Sequence, residues 1–316
     1  MRKKFMILPA ILIAVLLSAC GTDELQTEVQ TSVDSYNSEV AAYNEKIAPY
    51  NEAVDKIEEA NAGLQETLDA AQEVINKGEE PYDQATLESL KSALAEAGEA
   101  KVSTPPALEE AELLSVPEEA KKDAFEALKE QTASASEELT SKTVPETPEV
   151  PDYSGVITTV TDAQKVYENS IQSLKQITAP TDEFVMERLQ RIETISAIEP
   201  VTEDHDPNGQ LNKQGGYIGC IYFTDTQVDR SQLYIEDGKD NVIDVGTDGC
   251  GAIEVFATAK EANVRNDYLA SFDGGMFASG SHYVEGTCLI RTSNYLNGTQ
   301  QKELTAKITE ALIAID

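Results

Sequence analysis

The stretch VDSYNSEVAAYNEKIAPYNEAVDKIEEANAGLQETLDAAQEVI, residues 33–75, decides the N-terminal part of the fold. Apolar or small residues recur in it with steps of three and four, which places them along one side of an α-helix. The seam has one polar member, Asn61, and a single buried asparagine typically fixes the register of a coiled coil. The Glu, Asp, Asn, Gln and Lys residues between seam positions suit a solvated face. The seam consists of Val33, Tyr36, Val40, Tyr43, Ile47, Tyr50, Val54, Ile57, Asn61, Leu64, Leu68, Ala71 and Ile75.

Pro49 falls inside this seam without changing its phase. Proline removes one backbone hydrogen bond and clashes with the preceding turn. We therefore expect one kinked helix, ended by Gly78 in a left-handed cap. Shorter helices at residues 84–98 and 117–142 are expected to pack on it as an antiparallel bundle, and pairing between chains is the alternative. Ser115 and Pro117 resemble an N-cap and a first-turn proline for the helix at 117–142.

Residues 143–151, TVPETPEVP, carry a proline at every third position. No packed helix or strand tolerates that spacing, and it predicts an extended polyproline linker. Helical periodicity returns at residues 158–176 and again from the Thr181-Asp182 cap to Ile195.

After residue 200 the period changes to that of strands. Strands are predicted at residues 217–223, 252–257 and 283–291, with weaker candidates at 233–235 and 242–245, and helices at 261–272 and 299–315. The predicted fold class is α+β. An elongated N-terminal helical bundle or coiled-coil region precedes a C-terminal antiparallel or mixed sheet with helices on one face.

Residues 1–20 resemble a bacterial lipoprotein signal. Arg2, Lys3 and Lys4 precede an apolar run of about 13 residues, too short to span a bilayer. The small residues Ser18 and Ala19 then precede Cys20. The resemblance implies cleavage before Cys20, a diacylglyceryl group on its thiol, and an extracytoplasmic membrane location. An ordinary secretory signal, with Cys20 as a plain thiol, is the alternative.

The predicted domain division follows from these patterns. Residues 1–19 form the signal peptide, 20–142 the helical region, 143–152 the proline-rich linker, 153–179 a connecting helix, and 180–316 the α+β domain. The whole chain has a net charge of −33. Residues 1–19 hold three basic and no acidic residues, which leaves 21 basic against 57 acidic residues and a net charge of −36. Such a charge argues against a nucleic-acid partner.

Two groups of residues in the last third are candidate sites. Cys220, Cys250 and Cys288 allow one disulfide in an oxidising compartment, and packing as small hydrophobes is the equal alternative. The D-x-D-x-N-G spacing of Asp204, Asp206 and Asn208, with Gln210, is that of a calcium loop. Gly215 stands where such a loop places its bidentate glutamate, so a plain Asp-Pro-Asn-Gly turn is the competing interpretation. No other cofactor is expected.

Two further resemblances concern domains. Residues 66–100, with Ala70-Ala71-Gln72, Pro81-Tyr82 and Thr86-Leu87-Glu88-Ser89-Leu90, resemble FIVAR-type helical modules of bacterial surface proteins, which implies adhesion. Residues 180–316, with Asp206-Pro207-Asn208-Gly209, Glu254-Val255-Phe256-Ala257 and Gly286-Thr287-Cys288-Leu289-Ile290-Arg291, resemble a domain of uncharacterised Gram-positive lipoproteins and secreted proteins. That resemblance implies a location and a boundary but no activity.

The sequence contains no catalytic motif, and Glu254 and Arg291 are expected to pair structurally. We therefore expect a non-catalytic, membrane-anchored envelope lipoprotein that displays a ligand- or partner-binding α+β domain on a helical stalk. Its partner is expected to be an envelope protein or polymer. The alternatives are an adhesin that binds through the helical region, an enzyme acting on cell-wall polymers, and a solute-capture lipoprotein.

Overall fold

The structure is a computed structural model that describes residues 22–276 and 278–316. Its fold class is α+β, as the sequence predicts. The helices of the described chain are α1 Thr22–Asn76, α2 Gln84–Ala100, α3 Lys122–Ser141, α4 Ser154–Gln176, α5 Asp182–Gln190, α6 Val242–Val245, α7 Ala259–Ala270 and α8 Gly298–Ile313. The strands are β1 Ile195–Pro200, β2 Gly219–Asp225, β3 Cys250–Val255, β4 Ser281–Glu285 and β5 Cys288–Thr292.

Backbone contacts divide the described chain into two compact units. The first unit contains residues 22–64 and 101–153, and the second contains residues 65–100 and 154–316. The boundaries differ from the division expected at the proline-rich linker, because residues 143–153 pack within the first unit. Tyr153 at the end of that stretch donates from its hydroxyl to Asn61 Oδ1 at 2.8 Å.

The first unit is built on α1, which continues as one helix through Pro49. Pro49 is exposed, so the carbonyl that loses its N–H partner can bond to water. Part of the seam packs on α3 in two small clusters, one around Val33 and Phe125 and one around Val40 and Leu139.

An extended segment, residues 101–121, also packs on α1. Asn37, Asn44 and Asn51 lie seven residues apart on the helix. Each side chain makes two hydrogen bonds with the backbone of one residue in the segment, one as donor and one as acceptor. The donor–acceptor distances are 2.8–2.9 Å, and the paired residues are Leu114, Ala111 and Leu108. We call residues 101–121 the strap and these three pairs the asparagine ladder.

The three asparagines and their partners stay aligned because seven residues of helix and three residues of the strap have similar lengths. Seven helical residues advance about 10.5 Å, and three polyproline-like residues advance about 9.3 Å. Every third strap residue from Pro105 to Leu114 is partly buried, which is the period of that conformation. The predicted start of α3 at residue 117 is therefore wrong. Ser115 and Pro117 belong to the strap, and Lys121 is the N-cap residue.

The second unit contains a five-stranded antiparallel sheet with strand order β1-β2-β3-β5-β4. Its β2 residues alternate between two buried clusters. Ile221 and Phe223 face α5, α8 and the end of α4, whereas Cys220 and Tyr222 face α6 and α7. Helices therefore cover both faces of the sheet, and the expectation of helices on one face is wrong.

Three local predictions in this unit are corrected. Residues 283–291 form the hairpin β4–β5, since Gly286 adopts a positive φ of 60° in a two-residue turn. Ile195, expected at the end of a helix, begins β1. Residues 242–245, a weak strand candidate, form α6, and residues 233–235 are not a strand.

Candidate functional site

A groove of about 490 Å³ lies between β4 and α8, in the second unit. Its volume is in the range of small-ligand sites in proteins. Strand β4 contributes Ser281, His282 and Tyr283. Helix α8 contributes Lys302, Ala306, Thr309, Glu310 and Ile313.

Helix α8 is held in place by its apolar side. Leu304, Ile308 and Leu312 are buried against the sheet, while the groove residues occupy the adjacent helical face. A capping box formed by Asn297 and Gln300 fixes where the helix begins. One wall of the groove is therefore a well-anchored element.

The other wall is the edge strand of the sheet. Just beyond the two ends of β5, Ser293 N donates to Cys250 O and Thr287 O accepts from Phe256 N, so the odd-numbered residues of β5 bond to β3. Its even-numbered residues consequently bond to β4, at the paired positions 281, 283 and 285. The backbone N–H and C=O groups of His282 and Val284 must then point away from the sheet, and no described residue bonds to them.

The opposite edge of the sheet is protected in a way that β4 is not. Strand β1 contains a register irregularity between Ile195 and Ala197 and ends at Pro200, which has no N–H to donate. A bulge and a proline are devices that discourage further strand pairing. Strand β4 has neither, so the groove lies along the open edge.

A buried carboxyl group lies at the C-terminal end of β4. Burial raises the pKa of Glu285, although the nearby Tyr283 and Tyr82 hydroxyls act to lower it. Its Oε2 atom is buried without a partner in the described chain, as is Oγ1 of Thr309 on the facing wall. The charge of Glu285 in turn raises the pKa of Tyr283.

A charged cluster supports the hairpin from the α7 side. Glu254 is fully buried and accepts from Arg291 Nη1 at 2.8 Å and from Arg265 Nε at 3.0 Å. Burial opposes the charge on Arg265, but Glu254 outweighs this and raises the pKa of the guanidinium. The expected pairing of Glu254 with Arg291 is confirmed.

His282 is held on the same side. Its Nδ1 lies 2.7 Å from Asn266 Oδ1, and its Nε2 lies 3.3 Å from both carboxylate oxygens of Asp273. No hydrogen bond joins it to the neighbouring Ser281 in the described chain, so the two do not form a nucleophile–base pair. The histidine ties β4 to α7.

The candidate calcium loop is organised as a turn. Gly209 N donates to Asp206 O at 3.1 Å, and Gly209 has a φ of 62°. The Asp206 carboxylate accepts from the backbone N–H groups of Asn208 and Leu211 and from the hydroxyl of Tyr217. Burial alone would raise the pKa of Asp206, but these hydrogen bonds lower it.

The other proposed ligands are not gathered around a cation position. Asn208 donates through Nδ2 to the Tyr222 hydroxyl, and Gln210 donates to Asn208 O. Across residues 22–276 and 278–316, no group of three or more His, Cys, Asp or Glu side chains could hold a metal ion. These contacts favour the competing interpretation, a structural turn formed by Asp204, Asp206, Asn208 and Gln210.

The three cysteines are buried and free. Cys220 lies opposite Glu254, four positions along β3 from Cys250, and Cys288 lies opposite Val255, five positions from it. These offsets are about 13 Å and 17 Å. Cys220 and Cys288 face opposite sides of the sheet. A disulfide needs Cα atoms within about 7 Å, so the structure agrees with the alternative in which the cysteines pack as small hydrophobes.

The predicted lipidation residue, Cys20, and the signal segment lie outside the described residues. In the part of the chain that the structure describes, no helix is both long and apolar enough to cross a membrane.

Comparisons with known proteins give no match. No protein-family model matches the chain, and neither a curated protein nor a solved structure is similar to it.

The groove was not predicted from the sequence. Residues 283–291 were predicted as one strand, whereas they form a hairpin that contains the edge strand. The available signal was Glu285-Gly286-Thr287, a glycine between polar residues in the middle of an apolar run.

Proposed function

We propose that the protein is a non-catalytic, lipid-anchored protein of the cell envelope whose second unit binds a ligand or partner in the groove between β4 and α8. The observation that carries this proposal is the groove itself. It combines an anchored helix, an open strand edge and a mixed lining in which Tyr283, Ala306 and Ile313 lie beside the charged Lys302 and Glu310.

The chemistry around the groove favours binding over turnover. His282 uses both ring nitrogens in contacts with Asn266 and Asp273, and Glu254 uses both oxygens in contacts with arginines. These groups hold the hairpin in shape. Side chains engaged in this way support a role in positioning the site.

The membrane attachment rests on residues 1–20, where a basic start, an apolar run and small residues precede Cys20. Intact-mass spectrometry of the protein from the membrane fraction tests it. We expect a chain that begins at Cys20 and carries acyl groups, and loss of membrane association in Cys20→Ala. A membrane-free protein with an unmodified thiol at Cys20 would contradict the anchor.

The groove is tested by filling it. Ala306→Trp places a large side chain in the groove from an exposed helical position, and Lys307→Trp, on α8 outside the groove, is the matched control. Residues 21–316 are tested against peptidoglycan fragments, soluble glycans and seven-residue peptides. We expect Ala306→Trp to abolish binding and Lys307→Trp to retain it. Equal binding by both variants would move the site elsewhere, as the adhesin alternative requires.

A further inference from the structure

Resting on the proposed function of the groove, we propose that its ligand is an extended segment of a basic partner protein, which pairs with β4 as a sixth strand. The proposal names both the class of ligand and the way it is recognised. It is argued from the outward backbone groups of β4, the shape of the groove and the charge of the chain.

Backbone geometry selects an extended polypeptide. His282 and Val284 direct their N–H and C=O groups outward, two residues and about 6.6 Å apart. A second strand satisfies such a repeated donor–acceptor pattern with its own backbone. A glycan or a compact solute does not repeat its polar groups at this spacing with alternating polarity.

The groove provides room for alternate side chains of that strand. Successive residues of an added strand point to opposite faces of the sheet, so every second side chain enters the space beside α8. Tyr283, Ala306 and Ile313 offer that side chain an apolar surface. The ligand is therefore expected to alternate apolar and polar residues.

Charge decides between a foreign partner and a second copy of the chain. Each copy of the chain has a net charge of −33, so two copies repel each other. Pairing β4 of one copy with β4 of another would bring two strongly negative molecules into contact. A segment with basic flanks is attracted instead. Glu310 lies in the groove wall eight residues, or about 12 Å, along α8 from Lys302, and gives one basic residue of the ligand a local partner.

The first test uses an array of seven-residue peptides in which valine alternates with threonine, flanked by lysine or by glutamate. Residues 21–316 are expected to bind the lysine-flanked peptides and not the glutamate-flanked ones, with an affinity that falls as salt rises. Binding of neither series, or preference for the acidic flanks, would overturn the proposal.

The second test scans the bound peptide with backbone N-methyl groups, which leaves the fold of the protein untouched. Methylation at one alternating set of amides should weaken binding about tenfold per site, and methylation at the other set should leave it unchanged. Uniform tolerance would overturn strand addition. The groove would still be the site if Ala306→Trp blocked the same peptide, so the two proposals fail separately.

The protein variant Val284→Pro removes one outward N–H. Because this group is not part of the β4–β5 ladder, the strand pairing should remain while peptide affinity falls about tenfold. Val284→Ala, which loses the same side-chain packing but keeps the N–H, is the control and should retain binding. Sedimentation of the unliganded chain completes the test. A dimer that Val284→Pro dissociates would overturn the proposal in favour of a second copy.

Discussion

The two units of this protein are stabilised in different ways. In the second unit, two apolar clusters sandwich a sheet, and the strand residues between them are almost all buried. In the first unit, the apolar clusters are small, and asparagine side chains on α1 bond the backbone of an extended strap. The comparison shows how a long polar helix can acquire a specific partner without a large core.

The largest expected effect is a cavity in the second unit. Phe223→Ala removes a fully buried ring from the sheet core and should cost about 3–5 kcal/mol of unfolding free energy. Phe125→Ala in the first unit should lie at the low end, near 3 kcal/mol, because the other two buried residues of its cluster, Val29 and Val33, leave it room to relax. Urea unfolding followed by circular dichroism measures both.

Phe223→Leu is the control, since it keeps most of the buried volume and should cost markedly less than Phe223→Ala. If Phe125→Ala proved more costly than Phe223→Ala, the contrast between the two units would fail.

The second prediction concerns the asparagine ladder. Asn44→Ala leaves the backbone N–H and C=O of Ala111 without their side-chain partners, and should cost about 1–3 kcal/mol. Glu45→Ala, at the exposed neighbouring position, should be nearly neutral. Hydrogen exchange at the Ala111 amide should quicken in Asn44→Ala alone. Unchanged protection there would show that the strap is held by other contacts.

A pH dependence comes next. Burial raises the pKa of Glu285 in the folded state, so the folded protein binds more protons than the unfolded chain above about pH 4.5. Ionisation of Glu285 therefore lowers the free energy of unfolding as pH rises above about 4.5. This loss of stability is complete once the pH exceeds the pKa of Glu285 in the folded state. Glu285→Gln should raise the unfolding temperature at pH 7 and have little effect at pH 4.

Thermal unfolding of both proteins from pH 4 to pH 8 measures this difference, in which contributions from the other carboxyl groups cancel. A gap between the two unfolding temperatures that widens toward pH 4 would contradict the assignment.

The smallest expected effect is that of a reductant. Cys220, Cys250 and Cys288 are buried thiols, so dithiothreitol should leave the unfolding temperature of residues 21–316 unchanged. Burial raises the pKa of Cys288 to about 12, which suppresses the reactive thiolate. A thiol reagent should therefore label the cysteines only on unfolding. A lower unfolding temperature on reduction would reveal a disulfide.

Several elements could be predicted because their signal is local. The seam of α1 repeats at the helical period, and a stripe of Leu304, Ile308 and Leu312 marks α8. A continuous apolar run at residues 217–223 marked β2, and strong β-propensity marked the β5 region. Each of these patterns is set by residues that are neighbours in the chain, whatever buries them.

The asparagine ladder could not be predicted in the same way. Polar residues between seam positions look solvated when only the helix is considered. Asn37, Asn44 and Asn51 become partners of a backbone only when the strap returns to α1 more than fifty residues later. The sequence shows the period of seven but not the segment that meets it.

By itself the sequence determined the α+β class and the long helix, because periodicity and composition are properties of neighbouring residues. Only the tertiary structure decided that the three cysteines lie too far apart to pair, that Asp206 organises a turn, and that β4 is an open edge beside α8. These features depend on strand order and register, which make neighbours of residues far apart in the chain. A register shift of one residue would move every side chain of a strand to the other face of the sheet.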